Sequence, residues 1–550
     1  MLLKFHKLFD ALTKSERQIF EGALIIFLVA FVLNGINIFY KTTTIRPIAG
    51  GRFNEGVIGQ PTNLNPILTT NNDADRDLVE FLFMDAGSML KDYKISNSGK
   101  TWNLELKDGL KWSDGEKING DDLIFTLKAI QSPETRSPMF PAWDGIIAEK
   151  INDLEVKINL KTPYAYFLDN LKNLKLIPEH IFGKIPLSNL RLSDFNLEPI
   201  SSGPFAFKEY TKRKDGFIKE YTFVENKNFS GNHPLIQEFN FVFFADIREA
   251  IEAFNKKEID GLGGMTPEEE QAIQINHELN ELRLPRYYSL FLNPSTFAPF
   301  QEKEVRRAID LSIDKERIIK EIFLGKASQV DGPIMPGVEG YKPGQVVFDI
   351  EQAKKTLAES SWRAGEDGIL QKISGKDVVK LKFEIVVPNI SFLKKTAEII
   401  KENLMAVGIF VDIKLLEPQE VTSQIIKQRS YEGLIFGSVL KSNPDIISFW
   451  HSLERFYPGL NLSLYENKAL DDVLESARKN LNKNLRIKEV KKAQEIIRND
   501  KPSIFLYSPN YLYATSKSLQ GFRARLIIGY PSKRLSDVNE WNLKTARVFK

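Results

Sequence analysis

The 550-residue chain contains no cysteine. Structural disulfides, thiolate metal sites and cysteine nucleophiles are excluded together. A lipid-modified cysteine anchor is excluded with them. Histidine is nearly as scarce: His6, His180, His233, His277 and His451 are scattered. No two of them stand at the i, i+4 spacing that brings two imidazoles onto one helix face for a metal. Charge of either sign is not in excess, since 75 Lys+Arg against 72 Asp+Glu leaves +3. That balance argues against a dedicated nucleic-acid binder, which usually carries a strongly basic domain. Tandem repeats and low-complexity stretches are also missing. The apolar and charged fractions are those of an ordinary globular protein, long enough for roughly three or four units of ~150 residues.

Only one long apolar run occurs. Residues 22–40 read GALIIFLVAFVLNGINIFY without a charge, close to the ~20 residues that cross the hydrocarbon as a helix. Lys4, Lys7, Lys14 and Arg17 precede it, which leaves the N-terminus cytoplasmic and everything after Lys41 outside. A cleaved signal peptide has a shorter apolar core and small residues before the cut. Ile38-Phe39-Tyr40 is a poor context for cleavage, so the expectation is an uncleaved anchor. With no second run of that length, the chain is not itself a channel or transporter.

Beyond a short linker from Thr42 to Gly51, strand-like and helix-like segments alternate. Residues 53–58 open a strand. Residues 101–106 (TWNLEL) alternate polar and apolar. Leu110-Lys111-Trp112 reads as a further strand running into the Asp114-Gly115 turn. Residues 119–130 read as a helix, with Asn119 or Asp121 as cap and acids in its first turn. Residues 304–323 read as one long amphipathic helix closed by Gly325. Residues 381–387, 392–407 and 409–416 form a strand–helix–strand unit, which predicts a parallel pair under a covering helix. Helices over 469–480 and 490–499 and a strand over 503–507 follow. The pattern is that of an α/β protein with more than one lobe.

Tests for reaction chemistry return nothing. Gly51 to Gly56 has the outer spacing of a phosphate loop but lacks the Lys-Ser/Thr that follows one. Asp73, Asp75 and Asp77 start like a calcium loop, yet Leu78 stands where that loop needs Gly and Met84 where it needs Glu. Asp121 and Asp122 are adjacent on a helix, so capping explains them better than acid/base pairing. No serine occupies a Gly-x-Ser-x-Gly elbow. No enzyme and no cofactor is expected. Phenylalanine is abundant, with 38 copies, and core burial accounts for most of them.

Six segments in order resemble one known family. They are TWNLELKDGLKWSDGEKINGDDLIFTLKAI at 101–130, SSGPFAF at 201–207, FNKKEIDGLGGMTPEE at 254–269, EVRRAIDLSIDKERIIKEIFLGKA at 304–327 with Gly332-Pro333-Ile334-Met335-Pro336 after it, AKKTLAESSWRAGEDGIL at 353–370, and the unit around Gly408-Ile409. Together they are similar to the family 5 solute-binding proteins of ABC transporters, which take oligopeptides, dipeptides or nickel. The resemblance implies a two-lobed periplasmic-binding-protein-like clamp (type II, cluster C) with an extra inserted domain. It divides the chain into a cytoplasmic segment 1–18, an anchor 19–40, a linker 41–51, a discontinuous first lobe (52–90, 199–288 and 508–550), an extra domain 91–198 and a second lobe 289–507.

The same resemblance implies a monomer that captures a peptide between its lobes and delivers it to permease and ATPase subunits. It places Gln60, Thr62 and Asn63 on an early loop of the first lobe, and Tyr287, Tyr288 and Ser289 at the crossing into the second. The stretch from Phe436 to Trp450, with Phe436, Gly437, Ser442, Asp445 and Trp450, lines the cleft. Peptide-binding members often put an aspartate in that stretch against the ligand's amino terminus. Here an ungapped match puts Ser442 there, and Asp445 either substitutes or caps the helix after Pro444. Tyr287, Tyr288 and Trp450 fit core or lobe packing better than ligand contact. A non-peptide ligand (metal chelate, haem or oligosaccharide) or an anchored surface or sensory role without transport remains open on the same fold.

Overall fold

The computed structural model describes residues 13–69, 72–375, 377–440, 443–523, 527 and 529–550. Two mixed sheets form the body. The first has seven strands in the order His277–Leu282, Tyr511–Ser516, Gly261–Met265, Arg52–Ile58, Glu238–Phe244, Ile218–Glu225 and Phe205–Lys212. The second has six, in the order Ala327–Gln329, Ser503–Pro509, Arg286–Leu292, Gly433–Val439, Lys382–Pro388 and Phe410–Leu416. The chain passes from one sheet to the other at residues 283–285 and returns at Asn510. Tyr287 to Ser289, expected at the crossing, therefore lie inside a strand of the second sheet.

Each lobe buries its own core. In the first, Phe53, Phe81, Phe205, Phe223, Phe239 and Phe241 pack ring against ring, with Phe81 centroids 4.6 Å from both Phe205 and Phe239. These rings are six of the 38 phenylalanines, in the core role that aromatic rings favour. The core continues without a break into the inserted domain, where Trp102, Leu104 and Phe167 belong to it. The second lobe is closed over separate clusters around Leu290, Ile385 and Tyr507 and around Tyr287, Trp450 and Phe505. Among the described residues no buried apolar cluster contains side chains of both lobes.

The inserted domain carries a four-stranded sheet in the order Leu90–Ser96, Thr101–Leu106, Glu155–Asn159 and Ile147–Lys150. Its helix Gly120–Gln131 starts as the sequence predicts. Asn119 Oδ1 accepts from Asp121 N–H at 2.7 Å, and Asp122 Oδ2 accepts from Asn119 N–H at 2.9 Å. Asp122 also takes the Glu179 N–H on Oδ1 at 2.9 Å. Burial nevertheless pushes its carboxyl from 3.8 up to about 6. The folded chain thus holds this proton more tightly than the unfolded chain. Asp122 favours folding most below about pH 4, and that contribution fades as pH rises through about 6. The unfolding free energy of the wild type minus that of Asp122→Asn is expected to fall across this window and to be flat above it. A difference independent of pH would refute the assignment.

Three local expectations are corrected. Leu110 to Trp112 is not a strand and makes one isolated bridge, Lys111 with Lys117. The helix expected over 304–323 is two, Lys303–Ser312 and Lys315–Phe323, because Asp314 leaves helical geometry and caps the second by accepting from Arg317 N–H at 2.9 Å. The linker is not loose either: Thr43–Ile48 is a strand, paired along its whole length with Lys544–Phe549.

Candidate functional site

The sheet polarity identifies the edge that matters. In the first lobe Arg52–Ile58 is parallel to both Glu238–Phe244 and Gly261–Met265. In the second, Lys382–Pro388 is parallel to both Phe410–Leu416 and Gly433–Val439. Ligands of open α/β sheets bind beyond the carboxyl ends of such strands. Those ends carry residues 59–63, 245–246 and 266–270 in one lobe and 389–390, 417–420, 440 and 443–445 in the other. Side chains bridge the lobes here: Lys395 Nζ lies 3.9 Å from Glu268, and Lys326 Nζ lies 3.2 Å from Glu270 Oε2. Ile58, Ile390, Leu415 and Val439 expose apolar surface at or beside the same ends. The cleft is therefore a mixed polar and apolar slot between lobes that, among the described residues, share no buried apolar cluster.

The early loop sits at the end of Arg52–Ile58. Asp75 organises it from the helix Asp73–Leu82, with its carboxylate accepting from Thr62 N–H at 2.6 Å, Thr62 Oγ1 at 2.7 Å and Asn63 N–H at 3.1 Å. Burial raises the Asp75 pKa although these donors oppose it. Gln60 Oε1 accepts from Ile218 N–H at 2.8 Å. A cavity of about 270 Å³ opens beside Thr62, lined by Arg191, Asp194, Glu198 and Tyr210 among others.

In the second lobe, Tyr287 and Trp450 are buried, and both pack on Phe505, at 5.3 and 5.8 Å between centroids. They fill the interior between sheet and helices. Ser289, on the same face as Tyr287, is also fully buried. Tyr288 points to the opposite face, against Phe392 at 5.2 Å and Tyr507 at 5.6 Å. Gly437 stands across from it in the ladder, where an added Cβ would lie 3.0 Å from Tyr288 Cε1. A side chain at 437 would displace that ring, which is a packing reason for glycine there. Phe436, half-buried, packs beside the cluster of Phe291, Val386 and Leu434. Ser442 lies outside the described residues.

Asp445 is held by the inserted domain. Its Oδ2 accepts from Tyr164 Oη at 3.0 Å and faces Arg478 Nε at 3.3 Å, and only 6% of its side chain is exposed. Its contact with Ile447 N–H is long, at 3.5 Å. Burial, with the Asp445 charge second, raises the Tyr164 pKa and keeps that hydroxyl neutral. Arg478 also lies over the Tyr164 ring at 5.2 Å, and Arg486 over Tyr166 at 5.2 Å. The structure thus brings Asp445 together with Tyr164 and Arg478, and gathers Gln60, Thr62 and Asn63 on one loop, while Tyr287, Ser289 and Trp450 stay inside the second lobe. Sequence reasoning missed Tyr164, Arg478, Glu268, Glu270, Lys326 and Lys395. Nothing local separates such residues from a solvated charged face. Among the described residues no group of three or more His, Asp or Glu side chains is arranged to hold a metal ion.

Known proteins share this fold. The oligopeptide-binding protein AppA of Bacillus subtilis is 25% identical over 523 residues, covering 91% of this chain and 93% of its own. The structure of that protein with a nonapeptide superimposes with a TM-score of 0.68 at 24% identity, over 91% of this chain and all of the other. NikZ of Campylobacter jejuni in complex with Ni(L-His) gives 0.69 at 22% identity, over 89% and 99%. Both likenesses show the two-lobed fold. Residues 86–455, more than half of the chain, match the family described as Bacterial extracellular solute-binding proteins, family 5 Middle. The chain belongs to this family, the extracytoplasmic binding proteins of ABC importers for peptides and metal chelates.

Proposed function

We propose that the protein captures peptides between its two lobes and hands them to the permease of an ABC importer, and that the helix Lys14–Thr42 stays on the mature chain as a single-pass anchor. One observation carries the first part. The lobes have separate cores, are joined by two short crossings, and meet through ion pairs at the facing carboxyl ends of their strands. Such lobes hinge as rigid bodies around whatever binds between them. Backbone groups at those ends and the exposed Ile58 and Val439 suit an extended peptide, bound through its main chain with tolerant side-chain pockets. The relative co-crystallised with a nonapeptide supports this ligand class. The relative holding Ni(L-His) supports a second reading, because a chelate brings its own metal ligands.

The helix supports the anchor. It spans 29 residues, none buried against the protein, and its hydrogen-bond ladder reaches Thr43, whose N–H donates to Phe39 O. The test is native mass spectrometry of the full chain extracted from membranes, before and after unfolding. Released masses that fragment as peptides are expected. A single homogeneous non-peptide mass would replace peptide by chelate, and a chain with no cargo that no peptide library stabilises would defeat the transport reading.

A further inference from the structure

The strands Thr43–Ile48 and Lys544–Phe549 form a two-stranded sheet of their own. Such a ribbon is only marginally stable in water. This one also exposes apolar side chains: Ile45 is 59% exposed and Phe549 75%. It is locked to the end of the apolar helix. Lys550 N–H donates to Thr42 O at 2.9 Å, Arg547 Nη1 donates to Thr43 Oγ1 at 3.2 Å, the Arg547 guanidinium lies 4.1 Å over the Tyr40 ring, and the Phe39 and Phe549 rings meet at 6.5 Å. Residues 41–51 and 541–550 carry Lys41, Arg46, Lys544, Arg547 and Lys550 and not one Asp or Glu.

We infer that this ribbon is a docking surface for anionic phospholipid headgroups, an inference that rests on the anchor reading above. Continuity fixes the occupant, because the ribbon leaves the helix at the level where hydrocarbon ends. The headgroup layer adds roughly 5–8 Å on each side of the core, and a strand advances about 3.3 Å per residue. The pairs Thr43↔Phe549 and Thr44↔Val548 therefore fall within that layer, with Ile45↔Arg547 at its outer face. Phe549 and Tyr40 take the interfacial place of aromatic residues. Lys41, Arg547 and Lys550 meet lipid phosphates directly, and Arg46, one residue beyond the outer face, lies within a screening length of about 8 Å. The six-residue ribbon, about 20 Å long, then runs from the hydrocarbon boundary through the headgroup layer toward the first lobe.

The test uses the full chain in vesicles of brominated phosphatidylcholine, with and without phosphatidylglycerol. Phe549→Trp adds one indole at the ribbon, and the six native tryptophans, all buried, give the background. Bromine is expected to quench the added signal, and more strongly in anionic vesicles. Substituting Lys41, Arg46, Arg547 and Lys550 with Gln is expected to remove the charge dependence, by about fivefold in docking equilibrium per cation. Arg547→Gln alone serves as the milder check. An added indole that stays unquenched in both lipids, or is quenched equally in both, overturns the proposal. The intact mass of the membrane-extracted chain separates the two readings. A chain lacking residues 1–40 defeats the anchor, whereas a full-length chain with an unquenched indole defeats only the lipid surface.

Discussion

Replacing Arg534 with methionine is expected to destabilise the first lobe by about 3–5 kcal/mol at neutral pH, because it strands two buried carboxylates. The guanidinium enters the core from Pro531–Leu535. Its Nη2 reaches Glu55 Oε1 at 2.6 Å and Asp77 Oδ2 at 2.7 Å, and its Nη1 reaches Asp77 Oδ1 at 2.9 Å. Tyr513 Oη donates to Glu55 Oε2 at 2.8 Å, and the Tyr513 ring lies 5.3 Å from the guanidinium. Arg534 and Glu55 are essentially inaccessible. Burial pushes both carboxyls upward, and Arg534 is the cation that opposes this. Without it they take up protons at a free-energy cost that grows with pH. The loss is therefore expected to shrink in acid, below the unfolded carboxylate range. Replacing Glu55 and Asp77 by leucine as well is expected to recover much of the stability, since no buried charge is then left unpaired. Gly261→Ala is expected to damage the same network, because its Cβ would stand 2.1 Å from Glu55 Oε2. Denaturant titration measures all four proteins, and a loss below about 1 kcal/mol for Arg534→Met would show the network to be peripheral. The functional link is direct. The network ties the strand before loop 59–63 to the helix whose Asp75 holds that loop.

How much of this was legible beforehand follows the range of the forces involved. Local signals read well. The strand Thr101–Leu106, the cap at Asn119 and the parallel unit around residues 382–416 depend on periodicity and capping, which act within a few residues. Errors arose where a tertiary partner decides. Periodicity alone runs straight through Asp314, since residues on both sides keep one apolar face. The pairing of residue 43 with residue 549 leaves no local trace, so Thr43–Ile48 looks like a linker. Aromatic residues in the site were hardest. A tyrosine in a strand has the same neighbours in sequence whether it faces a core or a cleft, and Tyr287 and Tyr288 face opposite sides of one sheet. Asp445 had two local explanations, a ligand salt bridge and a cap, and its observed partners are 281 and 33 positions away in the chain (445 − 164 and 478 − 445).

Those partners make the second large effect predictable. Asp445→Ala is expected to cost about 1–3 kcal/mol in the docking of the inserted domain on the second lobe, because the Tyr164 hydroxyl loses its buried acceptor. Tyr164→Phe removes the same bond from the other side, so the two losses should not add, and a double-mutant cycle is expected to return most of a single loss as coupling. The consequence for recognition is the sharper one. A carboxylate that anchors a peptide ammonium makes a charge-assisted bond, and acetylating the ligand's amine then weakens binding by about 10- to 100-fold. Here the carboxylate already faces Arg478 Nε at 3.3 Å and accepts from Tyr164 Oη at 3.0 Å. Binding an ammonium would require breaking that contact between domains. Free and N-acetylated forms of one peptide are therefore expected to bind with affinities within about threefold of each other, less than one charge-assisted bond would supply. Asp445→Asn is expected to shift both affinities together. Isothermal titration of the four combinations decides the matter. A large preference for the free amine that vanishes in Asp445→Asn would mean that Asp445 exchanges Tyr164 and Arg478 for the ligand when the lobes close, and that the inserted domain releases the second lobe as the peptide enters.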